Sequence, residues 1–196
     1  ITDAQAKEMA SKAAKDLLGW IEKLAVQSPF EADDVAAAFK TASAYGFVSN
    51  AAADLAVKSG NLTKEQRANT VTAERLTQTM IDFAAGVGAT PATMNQVALA
   101  LGQIQARGKL AGQEVMQLTQ AGISVDKILA KAFGKSTTEI VAMREKGLIP
   151  ADQAILAITK SLEADFGGAA KAQTQTLSGL LSSMSDLKKI GLREFF

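Results

Sequence analysis

Gly134-Lys135-Ser136 is the one triplet in this sequence that could cradle a phosphate. A phosphate loop needs another glycine five positions before Gly134, and Leu129 stands there. It also needs a preceding strand, whereas the pattern before Gly134 is helical. The triplet therefore reads as a helix-ending glycine followed by a helix-capping serine. Two carboxylates flanking a cleft could hydrolyse a sugar linkage. The candidates are Glu31 with Asp33-Asp34, and Glu163 with Asp165. The first set falls in the opening turn of a predicted helix, where the macrodipole favours anions. The second falls near a helix end, and both read as solvated surface. Lys188, Lys189 and Arg193 make a small basic patch. A nucleic-acid partner would want more charge and an aromatic stacking surface, so this too reads as a solvated face.

Composition narrows the chemistry further. The 196 residues contain no histidine and no cysteine, which removes the commonest general base and metal ligand together with all thiolate chemistry. Absence of cysteine also fits an intracellular origin. Net charge is +1, so no broad field steers the chain to nucleic acid or an anionic membrane. No apolar run approaches 18 residues, so no span of a bilayer is expected, and no secretory signal pattern is read. The chain begins at Ile1 and reaches Phe195-Phe196 inside a predicted helix. We read it as a piece of a longer protein. No catalytic, cofactor-binding or metal-binding residue is assigned, and no enzyme is expected.

The elements that must position any contact surface are helical. Alanine is abundant, proline is limited to three residues, and no convincing alternating strand pattern occurs. Helices are predicted over residues 2–26, 32–44 and 47–58. Another opens at Thr63 with Gln66 as a capping box, runs through Val71 and Phe83, and ends at Gly86. Thr90-Pro91 opens the next, which stops near Gly108. Short helices follow over Gly112–Gln120 and Val125–Phe133, then after Ser136 and after Pro150. The expectation is an all-α fold of roughly nine helices: a compact multi-helix domain of short helices with a longer C-terminal helix. Residues 1–27 form a leading helix, 28–168 the compact domain, and 169–196 a terminal amphipathic helix. GISVDKILAKAFG and GLIPADQAILAITKSL share a turn, cap and helix pattern, a weak sign of repetition.

Two groups of residues stand out as possible structural or contact positions. One is the stretch GQIQARGKLAGQEVMQLTQAGI, residues 102–123. Gly108 and Gly112 flank a tight bend, where glycine tolerates the backbone required. Gln113 and Gln117 supply donors and acceptors without charge. Glutamine held between helices fixes their register, while on a surface it only solvates, and both readings remain open. The other group is the stripe Leu177, Leu180, Leu181, Met184 and Leu187, spaced for one face of a helix. It would pack on the domain or pair with a second copy of the chain.

The order of these motifs resembles the amino-terminal domain of phage tail tape measure proteins. The matching residues run Gly102-Gln103, Arg107-Gly108-Lys109-Leu110, Gly112-Gln113-Glu114, Gln117-Leu118, Ala121-Gly122-Ile123, Leu129-Ala130-Lys131, Gly134-Lys135-Ser136 and Gly147-Leu148-Ile149. Ser28-Pro29-Phe30 matches an earlier landmark, and Ala172-Gln173 with Thr176-Leu177-Ser178-Gly179 a closing one. The stretch from Ser49 to Met94 is longer than the family pattern, and SSMSDLKK is a loose form of its ending.

The resemblance implies a structural virion protein: a folded head on a long helical ruler that sets tail length and supports tail assembly and DNA ejection. Tail tube protein and tail assembly chaperones are the partners it implies, with self-association possible. It implies assembly in the host bacterial cytoplasm and later residence in the virion tail. Two other readings are a generic helical protein–protein interaction module and, further off, a muralytic tail enzyme. The enzymatic reading would lean on Glu114, Glu163 or Asp165.

Overall fold

The computed structural model describes residues 3–177. It is all-α. Among the described residues ten helices follow one another: α1 Asp3–Val26, α2 Ala32–Ala44, α3 Asn50–Lys58, α4 Lys64–Asn69, α5 Ala73–Val87, α6 Pro91–Arg107, α7 Gly112–Gln120, α8 Val125–Phe133, α9 Thr137–Glu145 and α10 Ala151–Phe166. Residues 169–177 are helical as well. Leu180, Leu181, Met184 and Leu187 of the terminal stripe lie outside the described residues. No described helix is long and apolar enough to cross a membrane.

The helix over 63–86 is in fact two. Thr70, Val71 and Thr72 are three β-branched residues in a row, and they leave the helical path between α4 and α5. β-Branching restricts the side chain against the preceding turn and weakens helix there. The break is held by tertiary contacts. Thr72 Oγ accepts from the Arg75 backbone at 3.3 Å and donates to Asn50 Oδ1 at 2.8 Å. The Ala73 N–H donates to Val48 O at 2.9 Å. That bond also draws residues 47–49 out of helix, so α3 starts at Asn50 with Ser49 as its cap rather than at Phe47. Pro150 likewise precedes its helix as the N-cap.

α5 lies at the centre, packed against α2, α6 and α10, while α2 also packs on α6. Leu76, Met80, Ile81, Phe83 and Ala84 of α5 are all buried. Small residues let the neighbours approach: Ala38 and Ala42 of α2 and Ala98 and Ala100 of α6 are fully buried. Gly102 carries this furthest. A Cβ there would stand 2.5 Å from Tyr45 Cδ2, so the absent methyl is the space that the tyrosine ring fills. Gly86 does the same for Phe166, whose ring meets Phe83 edge-on at 5.4 Å. Ile21 and Leu24 of α1 and Ala170 beyond α10 belong to the same core.

Two polar links tie α10 and its sequel to α5. Arg75 forks onto Glu163, Nε to Oε1 at 2.7 Å and Nη2 to Oε2 at 2.8 Å. The hydrogen bond to Glu163 holds the guanidinium above its usual range. Glu163 is thus half of a cross-helix ion pair and not free surface, while Asp165 is exposed. Asp82, nearly buried, accepts the Ala170 N–H at 3.1 Å and so caps the start of the helix over 169–177.

Candidate contact surface at the α6–α7 corner

The turn after α6 is set by local chemistry. Gly108 ends the helix in the left-handed region, φ +72°, and its N–H reaches Ile104 O at 3.1 Å. That conformation costs an ordinary L-residue about 1–2 kcal/mol. Gly112 differs: it opens α7 at an ordinary φ, and a Cβ there would meet nothing within 4 Å.

Tertiary structure then clasps this turn to a second one. Lys109 and Pro150 form an isolated antiparallel bridge. Leu110 N donates to Ile149 O at 3.0 Å, and Ala151 N donates to Gly108 O at 3.1 Å. Leu110 and Ile149 are buried beneath it. The Arg-Gly-Lys-Leu and Gly-Leu-Ile motifs, forty residues apart, are therefore the two sides of one structural joint. Gly147 supplies the second side with φ +66°. A small cleft of about 410 Å³ between Lys109, Gly112, Arg144 and Lys146 marks the outer edge of the joint.

The carboxylate of Glu114 is fully buried on the first turn of α7. Arg107 Nη1 lies 3.2 Å from Oε1 and donates to Oε2 at 3.4 Å. Only the second contact has hydrogen-bond geometry, so Oε1 has charge beside it but no donor. Gln103 stands one helical turn before Arg107, and Gln117 one turn after Glu114. Each presents a buried Oε1 without a donor among the described residues. The corner is thus a polar seam within an apolar core, with Leu101, Ile104, Leu110 and Leu118 buried around it.

The contact candidates therefore part company. Gln117 is half-buried with its carbonyl inside, Gln113 and Gly112 are exposed, and Gly108 shapes the turn. Leu177 is 49% exposed, and Leu181 and Met184 lie outside the described residues. Glu114 was legible in the sequence only as a lone carboxylate. Its spacing of seven from Arg107 across Gly108 was the one signal of a pair. Met116 and Leu148, each 58% exposed, are the apolar residues the corner turns outward. Of the carboxylates on which hydrolysis would depend, Glu114 and Glu163 each already face an arginine. Gly134 and Ser136 are the predicted helix stop and cap: Gly134 has φ +63°, and Ser136 forms a reciprocal capping box with Glu139.

A family model described as tape measure protein matches residues 23–195. The chain belongs to the tape measure protein family. It is a phage tail-related protein of a structural family, and the family places it in the virion tail. It is also similar to the Mu-like prophage FluMu protein gp42 of Haemophilus influenzae, 32% identical over 111 residues. That alignment covers 56% of this chain and 17% of the relative, so the chain spans about a sixth of the protein it matches. No solved structure matches.

Proposed function

We propose that this chain is a folded unit of a tape measure protein that sets tail length and supports tail assembly and DNA ejection. The family match over nearly the whole chain carries the reading. The α6–α7 corner supports it. Its glycine turns, backbone clasp and half-buried ion pair make a mount that holds Gln113, Met116 and Leu148 outward. Such a mount suits protein contact, with tail tube protein and tail assembly chaperones as partners. Assembly takes place in the host bacterial cytoplasm, and the protein then travels in the virion tail.

The test is electron microscopy of tails from phages with in-frame deletions in the tape measure gene outside residues 1–196. Tails should shorten by about 1.5 Å per deleted residue, the rise of a helix. Unchanged length removes the ruler role. Substitution of the outward Gln113, Met116 and Leu148 should lower tail number and capture of tail tube protein without unfolding the domain. If tube protein binds equally well, the corner is not its contact, and a generic helical adaptor becomes the better description.

A further inference from the structure

A cleft of about 490 Å³ opens between α4 and α10, at the two places where the chain leaves the helical path. Gly46, Phe47 and Val48 line it from one, Thr70 and Val71 from the other. Thr70 and Thr72 have extended backbone, with ψ 126° and 165°. The bond from Ala73 N–H to Val48 O ties the two segments together. Among the described residues, the N–H and carbonyl of Val71 and the N–H of Val48 take no backbone partner. The cleft is therefore edged by open peptide groups, which a second extended chain can pair.

The side chains fit the same kind of occupant. Gln105 and Gln153 line the cleft, and their carboxamides carry both donors and an acceptor, the complement of a peptide unit. Gln66 and Asn69 have their oxygens taken, by Thr63 N–H at 2.8 Å and Lys160 Nζ at 3.0 Å, which leaves the NH2 groups. Phe47 and Ile155 are buried, while Val48 is 45% exposed. The charged residues of the lining are Glu65 on α4 and Asp152 on α10, with no lysine or arginine beside them. Neither stands in an ion pair among the described residues.

We propose that this cleft docks an extended segment of a partner protein that carries lysine or arginine. Its backbone pairs with Val71 and the carboxamides, and its basic side chains meet Glu65 and Asp152. A helical partner is disfavoured, because its own backbone groups are already bonded and cannot use Val71. Nucleic acid is disfavoured too, because its phosphates would meet two carboxylates and no cation. Met116 and Leu148 of the α6–α7 corner do not line the cleft, so the two surfaces can be mutated separately.

The test is an NMR titration of the full chain with the capped peptide Ala-Lys-Ala-Lys-Ala. The amides of Val48, Val71 and Gln105 should shift, and capped Ala-Glu-Ala-Glu-Ala should leave them in place. Glu65 and Asp152 are exposed, so Glu65→Gln with Asp152→Asn should fold and should weaken the lysine peptide about threefold to tenfold. The same peptide N-methylated at every residue should not bind, because it has no N–H to donate. No shift at Val48 and Val71 overturns the proposal. So does equal binding of the N-methylated peptide, or of spermidine, either of which would leave only an acidic surface that takes any cation. Shifts at these amides on concentrating the protein alone would assign the cleft to a second copy and overturn it as well.

Discussion

Arg107 and Glu114 face each other across the reversal between α6 and α7, 3.2 Å apart, one side chain 45% exposed and the other fully buried. The asymmetry decides what each residue does. Glu114 cannot reach water, so its charge is compatible with the fold only beside the guanidinium. Arg107 can reach water and would lose little on its own account by letting go.

Removal of Arg107 should therefore harm the fold more than the loss of one exposed cation suggests. Arg107→Ala leaves a buried carboxylate without its partner and should cost about 1–3 kcal/mol in urea unfolding. Glu114→Gln keeps the shape and removes the charge. The double variant should recover part of the loss, because no charge then remains buried. If Arg107→Ala unfolds at the same urea concentration as the parent, the pair does not hold the corner.

Two glycines ten residues apart should respond in opposite ways to alanine. Gly102→Ala drives a methyl into the Tyr45 ring and should destabilise by about 1–3 kcal/mol through overpacking between α2 and α6. Gly112→Ala enters open space at a helical backbone and should be neutral or stabilise by about 0.4–1 kcal/mol. Thermal denaturation of the two variants side by side checks this. Equal effects would mean that helix propensity and not packing governs both positions.

The start of α9 should be sensitive to acid. The Ser136 backbone N–H donates to Glu139 Oε2 at 2.8 Å, and this bond holds the Glu139 carboxyl below the usual carboxylate range. A depressed folded pKa means the contribution is present at neutral pH and is lost as pH falls through that lowered value. The protection of the Ser136 and Glu139 amides, relative to their intrinsic exchange rates, should therefore fall below the ordinary carboxylate range. In Glu139→Gln this loss of protection with acid should vanish. Protection that stays constant there as pH falls, with the rest of the chain folded, would contradict the capping role.

Asp82 should govern the helix that follows α10. Asp82→Ala removes the acceptor for Ala170 N–H and should cost about 0.5–2 kcal/mol, the range for a lost helix cap. Hydrogen exchange should quicken first over residues 169–177, while the interiors of α2 and α6 stay protected. Uniform loss of protection would show that Asp82 supports the whole core instead.

Helix ends were legible in the sequence wherever the partners lie within three or four residues. Ser136 with Glu139, Thr90 before Pro91, and the glycines at 108 and 134 act in the structure as read. A cap needs only its own turn, so local order suffices to specify it. The α4–α5 break was not legible, because Thr72 and Ala73 take their partners from Asn50 and Val48, more than twenty residues away.

The sequence by itself determined an all-α chain, through its alanine content, helical spacing and glycine stops, and the order of its motifs pointed to the tape measure family. Tertiary structure alone decided which of those residues matter to one another. Only folding buries Glu114, joins Lys109 to Pro150, and places Tyr45 in the notch of Gly102. The physical reason is that burial and clasp geometry depend on segments distant in the chain. A carboxylate or a glycine reads the same in sequence whether water or another helix lies against it.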